Sequence, residues 1–155
     1  MMARRSVLRW VLAANLVAVT IGLSPTFAAD GIHWYDYEEG TALMQREGKK
    51  GYLNFYAEWC KYCKLMDEQT FSNTAVVAYL NRNFVAMKVD SDKETKMAAD
   101  FGVQGLPSNW FLTASGERIS NRPGFIPPKE MLNILKFINT DSYEQMSFGA
   151  FLDQN

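Results

Sequence analysis

The sequence predicts one α/β domain built around a mixed β-sheet. Three observations carry that reading. Helix-compatible and strand-compatible segments alternate along the chain, with no internal repeat and no linker long enough to divide it. Residues 51–57 are apolar at nearly every position except Asn54, as suits a strand covered on both faces. Ala114-Ser115-Gly116-Glu117 then joins two short strand-like runs through a tight turn, which brings an antiparallel pair into the sheet.

The elements follow in order. Residues 1–28 read as a secretory signal: Arg4, Arg5 and Arg9 precede an apolar core from Val11 to Leu23, and Pro25 breaks it. That core falls short of the ~20 residues a membrane span needs. Small Thr26 and Ala28 suit cleavage after Ala28, leaving residues 29–155 as the domain. The paired arginines also resemble a twin-arginine export signal. Either route ends in the periplasm or otherwise outside the cytoplasm, where disulfides persist. Residues 36–47 form a first helix, with Leu43 and Met44 inward and Gly48 as its stop. Strand 51–57 leads to Cys60, and a helix runs from there to about Thr70. Ser72 or Asn73 caps the next helix, through Val76, Val77 and Leu80. Residues 84–89 form a strand and 92–101 a helix stopped by Gly102. Strands 109–113 and 118–121 flank the turn. Pro127 and Pro128 open a helix to about Asn139, and Ser147 caps a short tail helix.

Composition excludes some function classes. The first 28 residues contain no acid, so 13 basic and 17 acidic residues remain after cleavage. No basic surface is left for phosphates, and nucleic acid is not expected as a partner. His33, the only histidine, lies far in sequence from the cysteines and is expected to serve the surface or packing rather than catalysis.

The chemistry concentrates at Cys60 and Cys63, the only cysteines. A structural staple gains most by closing a long loop, and this pair closes a very short one. A haem attachment site needs His after the second cysteine, where Lys64 stands. A structural zinc site needs four ligands, more than one His and two Cys supply. Copper held by both thiolates with Met66 is chemically conceivable, but Met66 reads more simply as core, and no metal is expected. Disulfide exchange fits better. It needs an attacking thiolate and a resolving thiol. Cys60 at a helix N-terminus, with Lys61 and Lys64 nearby, is favoured as the thiolate. Cys63, one turn on, resolves. Trp59 offers an apolar surface to a peptide. No cofactor is expected beyond the redox-active disulfide itself, because no nucleotide or flavin fingerprint is present.

Ala57-Glu58-Trp59-Cys60-Lys61-Tyr62-Cys63 and the later Gly105-Leu106-Pro107 resemble the thioredoxin superfamily. The segments Phe55-Tyr56-Ala57, Lys64-Leu65-Met66 and Thr70-Phe71-Ser72 narrow the resemblance to periplasmic thioredoxin-like domains of the DsbD C-terminal type. The resemblance implies the thioredoxin fold, a central mixed sheet flanked by helices, with Pro107 in cis beside the cysteines and the Leu106 backbone presented to substrate. It implies a reductase of client disulfides that draws electrons from a membrane donor of the DsbD type, and a monomer is expected. An oxidase or isomerase on the same fold, or a non-catalytic metal-binding module, are the alternative functions.

Two departures stand out. Thioredoxins carry a buried Asp six residues before the first cysteine; here that residue is Asn54, which cannot act as a base. Their partner lysine on the next strand is missing by sequence count, with Ala86 in its place. Glu58 and Asp67 are the nearest acidic candidates for moving the proton.

Overall fold

The computed structural model describes residues 31–154. The expected leader, its cut after Ala28 and the paired arginines lie outside those residues. Five strands, β1 (Trp34–Tyr35), β2 (Lys50–Tyr56), β3 (Phe84–Asp90), β4 (Ser108–Leu112) and β5 (Arg118–Pro123), form one sheet in the order β1-β3-β2-β4-β5. β1 and β2 both run parallel to β3, while β4 is antiparallel to β2 and β5 to β4. β2 is the central strand, which accounts for its run that is apolar but for Asn54: neither of its faces meets water.

Side chains alternate across β2 and divide the core in two. Tyr52 joins Ala86 and Phe111 on one face, beneath Val76 and Leu80 of α3 (Thr74–Asn83) and Met131, Leu135 and Ile138 of α5 (Pro128–Asn139). Leu53 and Phe55 join Val85 and Met87 on the other, beneath Leu43 and Met44 of α1 (Tyr37–Glu47) and Ala98 of α4 (Thr95–Asp100). Asn54 therefore belongs to the Tyr52 face, the one that also buries Met66 and Phe71 just after the cysteine helix.

Local signals set the helix ends. Asp36 caps α1, its Oδ1 accepting from the Glu39 N–H at 2.8 Å, and Gly48 ends it at φ 64°. Asn73, not Ser72, caps α3: its Oδ1 accepts from Ala75 at 3.1 Å and Val76 at 3.2 Å. Ser72 instead donates back to the Glu68 carbonyl. Ser147 caps α6 (Phe148–Asp153), which packs with Tyr143 on the outer face of α5 around Phe137.

Three elements differ from the sequence expectation. β1 is too short for any periodicity and exists only through its pairing, Trp34 beside Ala86 and Tyr35 beside Met87. The helix after Cys60 is α2 (Lys61–Leu65) continued by a π-helical turn (Met66–Thr70), in which the Phe71 N–H reaches the Met66 carbonyl at 2.8 Å. α4 begins at Thr95 rather than residue 92. The Asp90 carbonyl accepts from both Lys93 and Glu94, and this folds the intervening residues into a turn.

Candidate active site

β2 ends at Tyr56, and the chain turns so that Cys60 becomes the N-cap of α2, with extended backbone at φ −75°, ψ 107°. The Cys60 Sγ accepts the Cys63 N–H at 3.1 Å. This is the position where a helix leaves backbone donors unpaired, so negative charge on that sulfur is favoured there. Cys60 and Cys63 are joined in a disulfide, with Cα atoms 5.3 Å apart. Both are 96% buried, yet Trp59 beside them is 70% exposed and Tyr62 between them 58%. The buried reactive bond is thus flanked in sequence by two exposed aromatic side chains. Trp59 is held by its Nε1–H, which donates to Asp92 at 2.8 Å. Lys61 and Lys64 lie exposed on α2.

The opposite wall is the loop before β4. The Leu106–Pro107 bond is cis, and the Leu106 side chain packs against Ala57, Cys60 and Cys63. The Pro107 carbonyl accepts from the Gly124 N–H at 2.7 Å.

Asn54 is 1% exposed and donates through Nδ2 to Asn109 Oδ1 at 3.0 Å. The Tyr52 hydroxyl donates to the same oxygen at 2.5 Å. Burial pushes the Tyr52 phenol well above the ordinary tyrosine range, so it remains a donor at working pH. The position that carries a carboxylate in the family is here part of a neutral amide network.

The register corrects the expectation for Ala86. Ala86 lies beside Tyr52, and Lys88 lies beside Asn54. A lysine therefore does occupy the strand position next to Asn54. Its partner is on the helix side: Lys88 Nζ lies 2.6 Å from Asp67 Oδ1. The same ammonium sits over the rings of Tyr56 at 4.8 Å, Trp34 at 5.4 Å and Phe71 at 5.8 Å. Asp67 thus follows Cys63 by one turn and is oriented by a lysine from the sheet. Glu58 is exposed, and its field, after burial and Asp90, helps push the Tyr56 phenol upward. Burial would raise the Asp90 carboxyl, but the Asp92 N–H and Lys93 outweigh it and hold its pKa down.

Other expectations resolve by position. Met66 is fully buried in the apolar cluster with Tyr52 and Phe71. His33 precedes β1 and Cys60 follows β2. Both strands run parallel to β3, so these residues mark opposite ends of the sheet. Lys88 and Asn109 reach the site only through strand register, each lying beside Asn54. The available signal for Asn109 was a polar residue opening a strand that is apolar after it, Trp110 to Leu112.

A thioredoxin-like domain model matches residues 37–139. The chain belongs to the thioredoxin-like family. It is 34% identical over 99 residues to the thiol:disulfide interchange protein DsbD of Actinobacillus pleuropneumoniae, which covers 60% of this chain and 17% of that protein. The chain thus spans about a sixth of the DsbD relative it matches. A thioredoxin from Thermus thermophilus superposes with a TM-score of 0.63 at 31% identity, covering 68% of this chain and 85% of that one. The reduced DsbD C-terminal domain of Neisseria meningitidis shares the fold at 20% identity, with a TM-score of 0.56 over 68% of this chain and 98% of that domain.

Proposed function

We propose that this protein is an exported thiol–disulfide oxidoreductase that reduces disulfides of client proteins or small molecules. The observation that carries the reading is the Cys60–Cys63 disulfide at a helix N-cap, walled by Trp59 and Leu106. In the reduced protein the Cys60 thiolate attacks one sulfur of a client disulfide and expels the other as a thiolate. Cys63, deprotonated, then attacks the Cys60 sulfur of the mixed disulfide. The second client thiolate leaves, and the Cys60–Cys63 bond re-forms. Two electrons pass to the client, and two protons follow.

Asn54 cannot take the Cys63 proton. Asp67, held by Lys88, is the carboxylate we assign to that role, while Glu58 contributes only its field. Leu106 and Pro107 line the client approach. Reduction of the disulfide calls for a dithiol donor, and the likeness to DsbD supports a membrane donor of that type. The same likeness supports a periplasmic setting, and we take the chain to work as a monomer. No helix among the described residues is long and apolar enough to cross a membrane.

Insulin reduction in the presence of a dithiol, together with a redox titration, tests the direction. A potential at the oxidising end of the thioredoxin-fold range, about −120 mV, would convert the reading to the oxidase alternative. The roles of the two cysteines are tested by trapping. Cys63→Ser should accumulate mixed disulfides with clients and Cys60→Ser should not; equal trapping by both overturns the assignment.

A further inference from the structure

β5 ends at Pro123, opposite Ser108 of β4. The pair beyond it keeps one ladder bond, Gly124 N–H to the Pro107 carbonyl at 2.7 Å, but Pro107 has no N–H to return to the Gly124 carbonyl. The Asn109 side chain supplies the missing donor. Its Nδ2 donates to the Arg122 carbonyl at 2.9 Å and the Gly124 carbonyl at 3.1 Å, on either side of the proline. Its Oδ1 is fastened from the other direction by Asn54 at 3.0 Å and Tyr52 at 2.5 Å. Asn109 is fully buried, so no water competes for these bonds.

We infer that Asn109 is a positioning residue for disulfide exchange, tying the strand that carries the cysteines to the Leu106–Pro107 wall and so fixing the gap through which a client reaches the disulfide. The inference rests on the exchange function proposed above. The chain of contacts is continuous. Asn54 lies on β2, which leads into Cys60. Asn109 joins Asn54 to Gly124, Gly124 holds Pro107, and Leu106 packs on both cysteines. Each bond is between neutral groups, so the wall is held the same way at any pH where the protein is folded.

A bulky client and a small thiol read this wall differently. A folded or peptide disulfide must pass between Leu106 and the aromatic rings, whereas dithiothreitol needs only access to one sulfur. Asn109→Leu keeps side-chain volume and removes every bond. The ratio of insulin reduction rate to dithiothreitol exchange rate, measured well below the melting temperature, is expected to fall about tenfold, as loss of hydrogen bonds of this kind implies. Tyr52→Phe removes one bond and leaves the Gly124 and Arg122 contacts, so it should lower thermal stability and leave the ratio unchanged. If Asn109→Leu does not fold, Asn109→Ser serves in its place. Hydrogen exchange at the Gly124 amide gives a readout independent of activity: protection should be lost in the Asn109 variant and kept in Tyr52→Phe. An unchanged rate ratio, a parallel loss of both rates, or retained Gly124 protection overturns the inference. Failure of the exchange function itself shows separately, as a wild-type protein that reacts with neither disulfide nor dithiol.

Discussion

Asn54→Asp restores the carboxylate that the wider family places beneath the cysteines, and the structure predicts that this chain is not built to receive it. The position is 1% exposed. Asn54 donates to Asn109 Oδ1, and Asn109 cannot turn its amide round because Nδ2 is committed to Arg122 and Gly124. An ionised carboxyl would face an acceptor. The neighbouring cation, Lys88, is paired with Asp67. Loss of the hydrogen bond, with a buried partner left unsatisfied, costs about 1–3 kcal/mol. The pH dependence is the sharper signature. Burial raises the folded pKa of the introduced group above its unfolded value of about 3.9. Between those two values the native state binds more protons than the unfolded state, so stability falls as pH rises, by up to about 1.4 kcal/mol per pH unit. Near pH 4 the protonated group can donate to Asn109, and the variant should approach wild type. A folded pKa raised by two units makes the extra loss about 3 kcal/mol at neutral pH. Urea unfolding of both proteins at several values between about pH 4 and 8 measures it. A difference that does not change with pH refutes the reasoning, and one that shrinks as pH rises shows that Lys88 has left Asp67 for the new carboxylate.

Asp67→Asn should slow release of client from the mixed disulfide at neutral pH by at least about tenfold and shift the rate profile to higher pH, measured by single-turnover mixing; general-base losses are commonly larger still. Its stability effect should stay within about 1 kcal/mol, because the pair with Lys88 is partly exposed. Gly124→Ala forces a side chain onto a residue at φ 86° and should destabilise by about 1–2 kcal/mol in denaturant unfolding, with weaker client reduction as the backbone relaxes from that φ and loosens its N–H bond to the Pro107 carbonyl. The Tyr143 phenol is pushed up to about 12 by burial and its hydrogen bond with Asp141. A raised acid favours the folded state below its unfolded pKa near 10, and that contribution disappears as pH rises through 12. Melting temperatures across that alkaline window should fall less steeply in Tyr143→Phe than in wild type.

Much of the architecture is carried by short stretches of sequence. The cap Ser147, the stop at Gly48 and the apolar run of β2 are local signals and are legible residue by residue, while the choice of Asn73 over Ser72 and of Asp36 as cap rather than first helical residue needed the structure. The cysteine pair is legible for the same reason, its chemistry being written in residue type and spacing, whereas Pro107 is legible only through the resemblance to thioredoxins. α4 begins three residues later than its residue types suggest, because Asp90 builds a turn from backbone bonds that residue types do not announce.

What the sequence determined by itself was the α/β alternation, the strand that delivers Cys60 to a helix start, and the absence of an acid at Asn54. Tertiary structure decided which residues surround that gap. Register is a property of two strands together: a shift of two positions separates Ala86 from Lys88, and only the pairing that begins at Lys50 and Phe84 puts the lysine beside Asn54. Asn109 gained its importance the same way. It becomes a clamp only where β2, β4 and the end of β5 meet, three segments whose meeting depends on the packing of the whole sheet.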